Sequence, residues 1–563
     1  MIGSDPHMRF GWEHIMSRTR ILSLFVLAML AGASCRDPIQ PPPPPAHVPT
    51  IVLSVEGVAV TEAYLRVHFT DTAGVKMYKL FRGAELVSSG ATRFVDTVVS
   101  DTTVLRAHSY MYRAYRYRPL DSVLIDSSSA VAARTLDTAG VSVTPVDVGV
   151  TDAYVQLTMN DRNPIRGFVL KRDGGAILTG NLTGRDTVIY DTGLTQAHPC
   201  SYKIFRTYNG STIDSSIPAV ATTLDTTTHN FTWEVDTLGY LTSSLFDVAI
   251  VNDNDFWVVG SIYGKDSADY HDNHTPYGGA EWTPAGWSYR KFYISEPRPG
   301  GGTVQLPVFD NRSILYFNEN DFWLDCFYHW NGIKLTSYST QIGPLLDSND
   351  APRRVMGSSS NNVWIYGGGG AVFHYDGMSW QKVPSGIESE LSDACESPDG
   401  KTVWFCGWKD FQPTSLLRYR DGRMETIYNS ADRAYEGDPN RITGATMSVW
   451  TNSNYRIFPL TWYALFRAFA NTGGEGKAIP ISGVNAYWSY QRVRANGVND
   501  IVVVGNGAIW HYNGKTWRAF SEIWNQLDIL YAVAIRGNLI VAVGIRTYDG
   551  VHYYGVVYKG RRN

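Results

Sequence analysis

Two unrelated internal repeats divide this chain, and they restrict its fold more than any other feature. In residues 50–226 a long phrase is written twice. TEAYLRVHF, from Thr61, returns as TDAYVQLTM, from Thr151, and SYMYRAYRY at Ser109 returns as SYKIFRTYN at Ser201. MYKLFRGAELVSSG, from Met77, likewise returns as FVLKRDGGAILTG, from Phe168. The first offset, 151 − 61 = 90 residues, is the length of a small domain rather than of a solenoid unit. Beyond residue 228 the repeat shortens. A turn followed by an apolar run recurs as NDNDFWVVG (252–260), NENDFWLDC (318–326), SSNNVWIYG (359–367), SPDGKTVWFCG (397–407) and GVNDIVVVG (497–505). Between these lie FHYDGMSWQ (373–381), RYRDGRMETI (418–427) and WHYNGKTWR (510–518), with EWTPAGWSY (281–289) and YHWNGIKL (328–335) as looser versions.

Both repeats read as strands. In the long one, apolar residues such as Tyr64, Leu65, Val67 and Phe69 mark strands with one buried face, about seven per copy, which is the count of a β-sandwich. In the short one, an Asn/Asp-Gly turn between two apolar runs is a hairpin signal, and the Trp after it offers a large face for packing against the next unit. Together the two short phrases describe four antiparallel strands. Such units begin near 247, 313, 354, 391, 443, 492 and 531, and the last lacks a fourth strand. FTWEV, within 230–236, supplies a strand that closes the set and covers an edge that would otherwise stay open. Long amphipathic helical patterns are missing from a chain with 52 glycines and 13% aromatic residues.

The tyrosine-rich strand around Tyr110, Tyr112, Arg113 and Tyr115 resembles the penultimate strand of fibronectin type III domains. The short repeats resemble the bacterial propellers with an N-D-x-W-x-V-G phrase, a group akin to photosystem assembly factors and to sialidase-like or two-component-regulator propellers. The expected fold class is therefore all-β: two Ig-like (fibronectin type III-like) β-sandwiches, at 50–138 and 139–227, followed by a seven-bladed β-propeller at 228–563.

The first fifty residues read as an address. Arg18 and Arg20 precede the apolar run 21–31, which is too short to span a bilayer and has the proportions of a secretory signal, with Met16 a better start than Met1. Residues 31–35 resemble a bacterial lipoprotein signal, with Gly32 where that family usually has Leu. This implies removal of residues 1–34 and lipidation of Cys35. Pro38, Pro41 to Pro45 and Pro49 make 35–49 an extended spacer. The implied setting is the bacterial cell envelope, as an outer-membrane lipoprotein or a secreted protein, touching the membrane through the lipid only.

Chemistry is less legible. A net charge of −4 gives no support to nucleic-acid binding. In four-stranded units the loops after the second and fourth strands share one face, and here they carry the insertions: 264–278, 296–311, 340–353, 408–413 and 429–441. That face is the expected binding face. The first insertion holds Asp266, Asp269, His271, Asp272 and His274, a spacing that permits a metal ion such as Ca2+ without demanding one; no cofactor is required. Trp408, Asp410 and Phe411, with Asp432, Arg433 and Tyr435, set aromatic faces beside hydrogen-bonding groups, as sugar or peptide recognition needs. No nucleophile elbow, phosphate loop or HExxH is present, and no catalytic residue is assigned. Asp255, Asp321 and Asp500 recur at one point of the repeat and are expected to fix turns locally. Cys395 and Cys406 flank a hairpin centred near Gly400, near-opposite in register as a cross-strand disulfide requires, whereas Cys200 and Cys326 are expected as buried free thiols. The expectation is a monomeric, non-catalytic binding or scaffold protein for an extracellular glycan or an envelope protein. A carbohydrate-active enzyme, hydrolase or lyase, and an assembly factor for an envelope complex are the alternatives.

Overall fold

The computed structural model describes residues 50–563 apart from 61, 73, 106, 137–139, 161–166, 183, 209, 265–274, 409–413, 430–439, 463, 472–474, 482–491 and 549–551. The signal, Cys35 and the proline spacer lie outside the described residues. The fold is all-β. Its helical elements among the described residues are single short turns such as Ser339–Ile342, and none is long and apolar enough to cross a membrane.

The two copies of the long repeat fold alike. In the first, Ile51–Val58, Ala63–Phe69 and Asp96–Asp101 form one sheet, and Glu85–Thr92, Lys76–Arg82, Ser109–Tyr117 and Leu124–Ser127 form the other, with Val131–Arg134 also on Ser109–Tyr117. In the second, Val141–Val148, Asp152–Met159 and Asp186–Thr192 face Gly175–Asn181, Gly167–Arg172, Pro199–Tyr208, Ser211–Ser215 and Ala219–Thr222. This is a fibronectin type III-like arrangement. Alternation buries Leu65, Val67 and Phe69 in one core and Val155, Leu157 and Met159 in the other.

The repeat also copies a buried polar group. The Tyr112 hydroxyl donates to Asp101 at 2.8 Å, and Arg82 donates to the same carboxylate at 2.8 Å. Ninety residues on, Tyr202 donates to Asp191 at 2.6 Å and Arg172 does so at 2.8 Å. A buried tyrosine needs such a partner, and burial together with the carboxylate pushes both phenols up.

The short repeats build seven sheets, antiparallel apart from one parallel bridge, Ile294↔Leu335, in the second. They begin with Ser244–Asn252, Ile314–Asn318, Ala351–Ser359, Glu390–Glu396, Thr446–Trp450, Arg492–Gly497 and Asp528–Arg536. The second is widened by a hairpin, Phe292–Pro297 and Thr303–Val308, which uses the 296–311 insertion. In the seventh, Phe231–Leu238 pairs with Tyr553–Arg562 from Phe231↔Arg562 to Leu238↔Gly555, the closure expected for the strand around Trp233. The first strands of successive sheets lie against one another, and that of the seventh lies against that of the first.

Apolar clusters fill the space between neighbouring sheets. Trp323 of the second packs on Val355, Ile365 and Phe373 of the third. Trp380 meets Trp323 edge-on at 5.8 Å, so the tryptophan after the turn packs back on the preceding sheet, not forward on the next as expected. The turns also differ from one another. Asp421 and Gly422 (φ 51° and 76°) form the two-residue hairpin expected, between Arg420 and Arg423. In 376–379 four residues separate the paired Tyr375 and Trp380; Asp376 accepts from Met378 and Ser379, and only Gly377 (φ 90°) is left-handed.

The glycine that ends the repeated phrase has a steric cause. First strands bulge beside Asp247, Arg354, Asp393 and Ala532, and the backbone there approaches the second strand. A Cβ on Gly260, Gly407 or Gly544 would lie 2.0, 2.0 or 1.9 Å from a first-strand carbonyl oxygen. Only glycine fits.

The hairpin turn corrects the cysteine expectation: the Ser397 N–H donates to the Thr402 carbonyl, which centres the turn between Asp399 and Gly400. Continuous pairing from that turn sets Cys395 opposite Trp404 and Cys406 opposite Asp393. The two thiols are two residues out of register, and both are free, as are buried Cys200 and Cys326.

Candidate functional site

The first strands converge on a cavity of about 710 Å³. Every one of the seven sheets contributes to its wall, through Asp247, Ile314, Arg354, Ala394, Trp450, Arg492 and Val533. The wall runs from the middle of these strands to the first turn of the fourth sheet, Ser397 to Gly400. The cavity therefore extends toward the short first-hairpin turns, the end opposite the insertions.

Two relays of polar groups line this wall, and they follow one pattern. Asp247 accepts from the Ser313 hydroxyl at 3.2 Å and the Ile314 N–H at 3.0 Å, and Ser313 accepts from the Val355 N–H at 3.3 Å. Asp393 accepts from the Ser448 hydroxyl and from the Val449 N–H at 3.2 Å, and Ser448 accepts from the Val493 N–H at 3.1 Å. Each relay ties three consecutive sheets by their first strands. An arginine precedes the last member in both: Arg354 before Val355, Arg492 before Val493.

The two arginines differ in their partners. Arg492 approaches Asp393 at 2.5 Å, and Arg494 donates twice to the same carboxylate at 2.8 Å. Asp393 is fully buried. Burial alone would raise its carboxyl, but Arg492, Arg494 and the Ser448 hydroxyl outweigh it and hold the group well below the ordinary range. Arg354 donates to the Arg312 carbonyl at 3.1 Å and, among the described residues, has no carboxylate within ion-pair distance. Burial, followed by the charge of Arg492, pushes its guanidinium down to about 10. Burial also raises the Tyr366 phenol and the Cys395 and Cys406 thiols, which stay protonated and unreactive at neutral pH.

The sequence-derived candidates stand elsewhere. Trp408 is half-buried, paired in the ladder with Glu390 and Thr414 at the insertion end. Asp266, Asp269, His271, Asp272, His274, Asp410, Phe411, Asp432, Arg433 and Tyr435 lie outside the described residues. Among the described residues no cluster of three or more His, Cys, Asp or Glu side chains forms a metal site.

Of the recurring aspartates, Asp500 accepts from Asn496 across its own turn at 2.8 Å, as expected, the Asp255 Oδ1 is buried without a partner among the described residues, and Asp321 and Asp500 also reach across strands. Asp321 accepts from or donates to no neighbour in its turn; it meets His329 Nε2 at 2.8 Å on the third strand, as Asp500 meets His511 Nε2 at 2.8 Å. Asn362 meets His374 in the same way at 2.8 Å. Trp323 and Trp364 stack on these imidazoles, with centroids 4.6 and 4.0 Å apart. In the turns before Asp255 and Asp321 the local bonds come from Asn252 and Asn318, which accept from Asn254 and Asn320. The sequence held the signal in a histidine recurring before Tyr or Trp at 329, 374 and 511.

The second sandwich docks beside the cavity end. Arg456, 1% exposed, donates from Nε to Asp147 at 3.0 Å and lies 2.8 Å from Asp152, which also accepts from Arg467. Tyr154 stacks between Tyr190 at 4.7 Å and Phe469 at 5.3 Å. In the linker, His229 Nδ1 meets His511 Nδ1 at 2.8 Å, and Thr227 donates to the Asn499 carbonyl.

No family model matches the chain, and no curated protein does so at the threshold applied. Among solved structures it is similar to the extracellular domain of a one-component system from B. thetaiotaomicron, at 11% identity over 91% of this chain and 72% of that one, with a TM-score of 0.27. It is also similar to Kluyveromyces lactis Hsv2 (9% identity, 57% of this chain and 99% of that one, TM-score 0.33) and to the central fibronectin-III array of RIM-binding protein (14%, 38% and 79%, TM-score 0.15).

Proposed function

We propose that the seven sheets close into a propeller and that the chain is a binding protein of the cell envelope, held to the membrane through a lipid on Cys35 and presenting its central cavity to a glycan. The observation that carries this reading is the cavity itself: about 710 Å³, with a wall drawn from the first strand of every sheet. That volume is in the range of small-molecule sites, and polar groups beside the Trp450 ring suit a sugar.

Binding is favoured over hydrolysis by the engagement of two of the carboxylates nearest the cavity centre. A glycosidase needs one carboxyl that holds a proton near neutral pH beside a second that is ionised. Asp393 is locked as the ion by two guanidinium groups, and Asp247 is engaged by Ser313 and Ile314. The sandwiches serve as spacers between anchor and cavity.

The test is a panel of envelope polysaccharides and their oligosaccharides offered to the intact chain and to a Trp450→Ala variant. Retention of a saccharide by the native chain, weakened about tenfold in the variant, is expected. Retention of envelope proteins and no saccharide would turn the reading toward a protein partner.

A further inference from the structure

We infer that the cavity selects a sugar acid, seating its carboxylate against Arg354; this rests on the glycan-binding reading above and narrows it to a ligand class. Three features on the cavity wall point the same way.

The first is a half-buried guanidinium on the cavity wall with no ion-pair partner among the described residues. Arg492 and Arg494 share Asp393, whereas Arg354, which holds the corresponding place in the other relay, has a single backbone carbonyl as its hydrogen-bond partner. A half-buried guanidinium with no close counter-ion, on which Asp247 and Asp393 act only through space, leaves N–H groups that a bound carboxylate would take up in pairs. The second is donors with nothing to donate to. Tyr366 is 3% exposed, lines the cavity beside Arg354, and its hydroxyl makes no hydrogen bond among the described residues; the Nε of Arg492 is buried and likewise unpartnered. Buried polar groups are normally satisfied, so such a set marks a place where a ligand supplies the acceptors.

The third feature excludes a bare anion. Toward the turn end stands Glu396, whose Oε1 accepts from Asn362 at 2.8 Å and whose Oε2 is buried without a partner. An unfilled carboxylate oxygen repels a second negative charge but accepts a hydroxyl. Trp450, buried against Phe458, adds apolar surface to the same wall. A molecule with one carboxylate, several hydroxyls and an apolar ring face meets all three; inorganic phosphate or acetate meets only the first.

The experiment measures binding of D-glucuronate and D-galacturonate to the intact chain by calorimetry and tryptophan fluorescence, with D-glucose and acetate as controls. Either uronate should bind at least tenfold more tightly than both controls. Arg354→Met should lose at least tenfold of that affinity, Arg354→Lys less, and Tyr366→Phe about threefold, with thermal melting unchanged within a few degrees. Equal binding of uronate by native and Arg354→Met chains, or no preference over glucose, overturns the inference while leaving glycan binding standing. If the native chain binds neither sugar and the polysaccharide panel is also blank, the broader reading fails with it.

Discussion

The two sandwiches share one topology and differ in what their shared docking corner touches. In each, an acidic residue and a tyrosine open the second strand: Glu62 and Tyr64 in the first copy, Asp152 and Tyr154 in the second. All four are buried. Asp152 meets Arg456 and Arg467 of the seven-sheet domain, while Glu62 accepts from Tyr64 and feels the charge of Arg206 in the second sandwich. The repeat has thus duplicated an interface along with a fold, and each copy leans on the next domain by the same corner. What differs is the strength of the charge pairing. Asp152 has two close guanidinium partners, and Asp147, with no acidic counterpart at Gly57 in the first copy, adds a third contact through Arg456. The first junction relies on a carboxyl that burial pushes up, against the opposing hydrogen bond from Tyr64.

The sharpest way to break the comparison is Arg456→Ala. It leaves Asp147 and Asp152 buried without their central partner and should cost about 3–5 kcal/mol. Calorimetry should then resolve the second sandwich as a separate, earlier transition, and protease should cut within 223–230. A single unshifted transition would mean that apolar contacts alone hold the junction.

Acid should move the two junctions in opposite directions. Burial, and then His511, pushes His229 down from 6.5 to about 4, so the folded state holds this imidazole neutral. Its contribution is present above pH 6.5 and is lost as pH falls toward 4. Glu62 is raised above 4.5, so the stability it contributes is greatest below that value and declines as pH rises through its folded pKa. Hydrogen exchange at pH 7 and pH 5 should show 231–238 loosening on acidification while 63–69 holds or tightens. His229→Gln should flatten the first response and leave the second.

The smallest effect separates the two tyrosines. Tyr64→Phe removes the donor to buried Glu62 and should cost about 1 kcal/mol in thermal unfolding. Tyr154→Phe keeps the stack on Tyr190 and Phe469 and should stay within about 0.5 kcal/mol. Equal losses would show that the hydroxyls do not distinguish the copies.

Much of this architecture was legible in advance because it rests on short-range periodicity. Alternation in TEAYLRVHF and TDAYVQLTM, the turn phrases and the lone strand at Trp233 each report a local choice of strand, turn or edge, and each needs only a few neighbouring residues to be read. The cysteine register was misjudged because the turn is centred between Asp399 and Gly400, which sets Cys395 opposite Trp404, and the sequence SPDGKT does not show which residues close it. The cavity went unread because long loops are conspicuous in a sequence and a cavity is not.

By itself the sequence determined strands, their grouping and the repeats, since these follow from side-chain alternation and from turns that only Gly, Asn or Asp adopt cheaply. The cavity was decided by tertiary structure alone. Asp247, Arg354, Asp393, Ser448 and Arg492 are scattered over 492 − 247 = 245 residues, each on an ordinary-looking strand. Which arginine receives a carboxylate and which is left to face the cavity depends on how seven first strands meet, a matter of distance in space that spacing along the chain does not encode.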